Sequence, residues 1–142
     1  MEYKVIFHID ENARWQMLLG NVENLLRALG SGHMTVEVLA NGEAVQKYAA
    51  VLPGRDDEAD QSLAAKMASL HQEGVTFAAC RNAMRANHLT EHDLHPFVVT
   101  VPAGVMELVT RQAQGYAYIK PWCGIIPGTG FALRMTPGPN LL

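Results

Sequence analysis

The stretch "MEYKVIFHID" (Met1–Asp10) decides the fold class. Between Tyr3 and Ile9 it is rich in β-forming residues and shows no polar alternation beyond its ends. A strand with one wet face alternates polar with apolar residues. A strand covered on both faces does not, and such coverage marks a parallel sheet. Tyr3–Ile9 is therefore predicted as a parallel strand with helices above and below it.

The flanking chain repeats the pattern. Trp15, Leu18, Leu19, Val22, Leu25, Leu26 and Leu29 recur at helical spacing, Asp10 or Asn12 can cap that helix, and Gly30 can stop it. Met34–Ala40 reads as a second strand closed by Asn41-Gly42, with a brief helix from about Glu43 to Ala49. "PGRDDEAD" (Pro53–Asp60) is an acidic surface loop whose carboxylates suit the front of the next helix. That helix carries Leu63, Met67 and Leu70 and ends at Gly74. Val75–Ala79 is the third strand, Arg81–Ala86 a short helix and Phe97–Val101 the fourth strand. Pro102 pre-sets a last helix with Val105, Leu108 and Val109 as its apolar face, and Gly115 ends it. Tyr116–Ile119 is a short fifth strand stopped by Pro121. Strand alternating with helix predicts a mostly parallel α/β sheet with helices on both sides. Residues 1–121 form one domain. Residues 122–142 are a Gly/Pro-rich tail that keeps Trp122, Ile125, Ile126, Phe131 and Leu133, and is expected to pack on something, such as a neighbouring subunit.

Composition narrows the function. The 142 residues suit one sizeable core, and 49% apolar with 18% charged residues is ordinary for a globular fold. A net charge of -3 without a basic stripe argues against nucleic acid as a partner. Apolar runs fall short of the roughly 20 residues of a membrane span, and the first residues read as a strand rather than a signal peptide. Two distant cysteines do not make a disulfide framework, so a reducing, cytoplasmic setting is expected.

In open parallel sheets, ligands gather outside the carboxyl ends of the strands. Those ends carry His8 and Asp10, Asn41 and Gly42, Cys80, and Pro102 with Ala103. "HIDENAR" after the first strand is neither a P-loop nor a dinucleotide turn, so no cofactor is expected. Cys80 stands where a strand ends and a helix opens, a place whose free N–H groups favour the thiolate, the reactive form of sulfur. Arg81 and Arg85 add positive charge nearby in sequence. The alternative is a small buried hydrophobe. There is no C-x-x-C motif, and Cys123 is either a second sulfur-carrying thiol or incidental. His8 and Asp10 can orient or deprotonate a thiol, or bond to nearby backbone. His88, His92 and His95 give a weaker metal-binding option beside the expectation of no metal. Glu107 and Arg111 form a weak surface pair, and Met17, Met67, Met84 and Met106 read as core filler.

The stretches "KVIFHIDENARW", "LGNVENLLRALG", "VEVLANGEAV", "LHQEGVTFAACRNAMRAN" and "VPAGVMELVTRQAQGYAYIKP" together resemble the DsrE/DsrF-like family of small sulfur-relay proteins. The resemblance spans nearly everything from Lys4 to Pro121. It implies a three-layer α/β/α sandwich around a five-stranded sheet and a homo-oligomer, trimer or hexamer. It also implies that Cys80, in "FAACRN", takes a persulfide sulfur from a donor and hands it to an acceptor protein or small thiol. Asn82 and local backbone N–H groups would stabilise the anion there, with His8, Asp10 and Asn41 around it. Such a protein is a carrier more than a catalyst. The other reading is a non-catalytic oligomer whose strand-end cleft binds a small ligand or protein.

Overall fold

The computed structural model describes residues 2–50 and 57–121. Five strands, β1 (Tyr3–Ile9), β2 (Met34–Ala40), β3 (Thr76–Cys80), β4 (Val98–Val101) and β5 (Ala117–Ile119), form one sheet in the order β4-β3-β2-β1-β5. Every pairing is parallel. Four helices connect them: α1 (Trp15–Leu29), α2 (Glu58–Gln72), α3 (Arg81–Ala86) and α4 (Gly104–Ala113). The result is an α/β/α sandwich. No helix among the described residues is long and apolar enough to cross a membrane.

Strand order and handedness decide which face each helix covers. From β1 to β4 the chain steps in one direction, so right-handed crossovers place α1, α2 and α3 on one face. From β4 to β5 it returns across three strands, which places α4 alone on the other.

The two faces are packed very differently. Val5, Phe7 and Ile9, Val36 and Val38, and Phe77 and Ala79 meet the buried stripe of α1 (Trp15, Leu18, Leu19, Val22) and α2 (Leu63, Met67, Leu70) in one large core. Tyr48 donates to Val38 O at 2.8 Å, Trp15 Nε1 donates to Ala44 O at 3.2 Å, and the rings of Trp15, Tyr48, Phe77 and Phe97 follow one another in contact. Each buried polar tip is thus satisfied while its ring is removed from water. Beneath α4 the fully buried set is Ile6, Leu39 and Ala78, with Val101, Leu108 and Tyr116 half-buried against it.

This asymmetry corrects the expected apolar face of the last helix. Leu108 turns to the sheet, but Val105 is 71% and Val109 56% exposed, because one helix cannot wrap a helical face that has no neighbour. Met106 and Met17 are exposed too, whereas Met67 and Met84 fill the core as expected. Smaller differences are local. The segment after β2 is a 3-10 helix, Gly42–Tyr48, and neither Asp10 nor Asn12 caps α1 with its side chain. The latter follows from a 3-10 turn, Asn12–Arg14, that leads into α1. Asn12 instead takes Glu43 and Gln46 as partners. Asp57 caps α2 by accepting from the Asp60 N–H at 2.7 Å. Residues 53–56 of the acidic loop lie outside the described residues.

Candidate functional site

The carboxyl ends of β3, β2, β1 and β5 present a row of linked groups. Cys80 closes β3 and is the N-cap of α3. It is buried, at 5% exposure. The donor to its sulfur comes from across the sheet: the Gly104 N–H, first of α4, donates to Cys80 Sγ at 3.2 Å. Unsatisfied amides at the start of a helix carry partial positive charge, and a donor of this kind bonds more strongly as the sulfur becomes anionic.

The backbone of Gly104 packs close to both Cys80 and Asn41. A Cβ at this position would lie 3.4 Å from Cys80 Cβ and 3.5 Å from both Cβ and Nδ2 of Asn41. The first turn of α4 therefore rests directly on Cys80 and Asn41. Asn41, at the end of β2, accepts through Oδ1 from His8 Nε2 at 3.0 Å. His8, one residue before the end of β1, uses Nδ1 with the Tyr118 hydroxyl of β5 at 2.7 Å. An amide oxygen can only accept, so Nε2 carries the proton and Nδ1 accepts from Tyr118, a tautomer assigned from the network. Tyr118, His8 and Asn41 thus form a hydrogen-bonded line ending beside Cys80.

Three predicted site residues, Cys80, Asn41 and His8, come together here. Two do not join them by side-chain contact. Asp10 pairs with Lys120 at 3.1 Å, while Asn82 is exposed on α3 and pairs with Arg85. The expected guanidinium near sulfur is likewise committed elsewhere, because Arg81 bonds Thr100 and Glu91 at the sheet edge. The expected donors of α3 are replaced by the amide of α4.

Among the described residues, no three His, Cys, Asp or Glu side chains gather to hold a metal ion. His95 stacks on the Phe97 ring at 5.3 Å, and burial lowers its pKa below the ordinary histidine value. His88 sits in a left-handed turn at φ 58°. Cys123 and the tail lie outside the described residues.

Two polar features escaped the sequence reading. Tyr118 is the first. The second lies under α4: Glu37, in the middle of β2, is 4% exposed. Its Oε1 lies 3.1 Å from Arg111 Nε, and its Oε2 is buried with no hydrogen-bond partner among the described residues. Burial, then the charge of Glu107, raises its pKa from 4.5 to about 6, against the lowering effect of Arg111. Arg111 also meets Glu107 at 2.9 Å, so the expected surface pair is one arm of a partly buried arrangement that reaches Glu37. The sequence signal was a single acid inside the apolar run "MTVEVLA".

Comparison with known proteins gives a consistent picture. The profile of the DsrE/DsrF-like family matches residues 4–121. A solved structure of a protein of unknown function, MTH1491 from Methanobacterium thermoautotrophicum, is 36% identical, with a TM-score of 0.72 over 84% of this chain and 100% of its own. The ychN protein from E. coli shares the fold at 12% identity, with a TM-score of 0.62 over 85% of this chain and 100% of its own. No curated protein matches.

Proposed function

The chain belongs to the DsrE/DsrF-like family, and from that premise we propose that it is a sulfur-relay protein carrying a persulfide on Cys80. The observation that carries this reading is the Gly104 N–H aimed at Sγ, a donor placed where an anionic sulfur needs one. In the loading step, the Cys80 thiolate attacks the outer sulfur of a donor persulfide. The donor S–S bond breaks, the donor thiolate leaves with the electron pair, and Cys80 carries the added sulfur. An acceptor thiolate then attacks that outer sulfur and Cys80 leaves as thiolate. There is no net oxidation, and no cofactor is required. Asn41, held by His8 and Tyr118, presents its amide beside the same corner and orients the loaded sulfur. Asp10 and Asn82 have an outer role at most, through the charge of their surroundings.

We place a homo-oligomer, a trimer or hexamer, in the same proposal. Val105, Met106 and Val109 on α4, with Tyr118 and Ile119 on β5, form exposed apolar surface of the kind that subunit contacts cover. Residues 1–121 are the relay domain and 122–142 an appended tail, in a cytoplasmic protein with no nucleic-acid or membrane partner.

Intact-mass measurement after incubation with a small persulfide donor tests the reading. The native protein gains one sulfur atom and Cys80→Ser gains none. Equal gain by both, or none by either, removes it. The burial of Cys80 favours a second reading, in which the sulfur merely lines the strand-end cleft of a non-catalytic binding oligomer. Iodoacetamide modification of Cys80 in the folded protein no faster than in an unfolded peptide supports that alternative.

A further inference from the structure

A sulfur that exchanges with other molecules must be reached, yet Cys80 Sγ lies against the first turn of α4. That helix is held by little. Gly104 is its buried residue, Leu108 is half-buried, and Val105, Met106 and Val109 face outward. Elements with few buried apolar contacts open locally at low free-energy cost. A polar attachment of α4 to the sheet lies at its other end, where Arg111 meets Glu37 across 74 residues of sequence. One helix thus joins two groups: its first amide meets Cys80, and its last turn meets a buried carboxylate with an orphaned oxygen.

We propose that Glu37 and Arg111 are positioning residues forming a latch that controls access to Cys80, holding α4 against the sheet when paired and releasing its first turn from the sulfur when the pairing weakens. This deepens the sulfur-relay reading and rests on it for its biological purpose, though the latch itself is measurable without sulfur transfer. Among the described residues, the charged groups around Glu37 are few. From α4 come Arg111 and Glu107. From β1 comes Lys4, which lies 5.9 Å from the Tyr116 ring that Arg111 also covers at 5.3 Å, and which donates to Gln114 O. β3 offers the uncharged Thr76 in register. Across the sheet, the Tyr48 hydroxyl is kept neutral, first by its burial and then by the charge of Glu37. Arg111 is the cation in direct contact with the Glu37 carboxylate. Loss of Arg111 leaves the ionised Glu37 carboxylate buried and unpaired, which favours lifting α4 so that water can reach it. A neutral group at position 37, the protonated acid or the Glu37→Gln amide, has no such need and leaves the helix in place.

The experiment measures iodoacetamide modification of Cys80 in the full chain carrying Cys123→Ser, with fold and assembly matched by circular dichroism and sedimentation. Matching assembly matters because a subunit contact on α4 would hold the helix from outside. At pH 7.5, Arg111→Gln is expected to react about tenfold faster than its parent through easier local opening. Glu37→Gln stays within about twofold of the parent, and the double variant returns close to Glu37→Gln, because removing the carboxylate removes the charge that Arg111 offsets. Glu107→Gln, which breaks a contact within the helix, also stays within about twofold of the parent. The ratio of Arg111→Gln to parent falls toward one below about pH 6, where Glu37 carries a proton. Parent-like reactivity of folded Arg111→Gln, a double variant as fast as Arg111→Gln, or a ratio independent of pH overturns the latch. If Arg111→Gln does not fold, Arg111→Lys carries the same comparison, with and without Glu37→Gln. Failure of sulfur loading with these contrasts intact removes the relay reading and leaves the latch; loading at Cys80 without them removes the latch and leaves the relay.

Discussion

The two faces of the sheet follow different rules. Beneath α1 and α2, apolar side chains interlock from both layers, and the few polar tips, Trp15 Nε1 and the Tyr48 hydroxyl, each find a backbone carbonyl. Beneath α4, three buried apolar residues share the space with a buried carboxylate, and the helix shows much of its apolar surface to solvent. The first face accounts for stability. The second holds the His8–Asn41–Tyr118 line and the Glu37–Arg111 pair, and its helix start meets the sulfur of Cys80, a residue that packs with the first core. Chemistry needs groups that can change partners, and a close-packed interior does not allow that.

The comparison can be broken most forcefully by truncation. Trp15→Ala should cost about 3–5 kcal/mol in denaturant unfolding, from lost burial and the cavity left behind. Leu108→Ala, removing a half-buried side chain, should cost about 1–2 kcal/mol. Equal losses would show that the two faces contribute alike. A subtler contrast is the pH dependence of stability. Folded Glu37 keeps its proton up to about pH 6, whereas an unfolded glutamate releases it near 4.5. The folded state therefore binds the extra proton between these values, and stability falls as pH rises through that window. The decline should be on the order of 1 kcal/mol and should flatten in Glu37→Gln. An unchanged slope in that variant would mean that Glu37 is not buried as described.

The α4 side of the comparison sharpens at Tyr118. Tyr118→Phe removes the hydroxyl at His8 Nδ1 and should cost about 1 kcal/mol or less in stability. Sulfur loading should nevertheless slow severalfold, because Asn41 loses the support of a fixed imidazole. Loading at the native rate would separate the hydrogen-bonded line from the function. The smallest stability change is expected at Met106→Lys, within about 0.5 kcal/mol for an exposed position. Its effect should appear in sedimentation as a lower assembled mass, and an unaltered mass would place the subunit contact elsewhere.

Much of the fold was legible in the sequence because the signals are local. Trp15 to Leu29 carries a helical stripe, Tyr3–Ile9 an unbroken β run, and Gly30, Gly74 and Gly115 take the positive φ values that suit helix ends. The place of Cys80 at the end of β3 followed from the same signals. The surroundings of its sulfur did not. Gly104 meets it from 24 positions away, Tyr118 reaches His8 from 110, and Arg111 reaches Glu37 from 74. Those partners depend on the return from β4 to β5, which no local periodicity encodes. The same return explains Val105 and Val109: spacing identifies an apolar face, but strand order decides whether another layer covers it.

Site-resolved mass mapping tests the central claim most directly. The protein is treated with one equivalent of persulfide donor, its thiols and persulfides are capped, and the peptides containing Cys80 and Cys123 are measured separately. The account predicts added sulfur on the Cys80 peptide and its loss on exposure to an acceptor thiol. Sulfur found on the Cys123 peptide alone, or on neither, would contradict it.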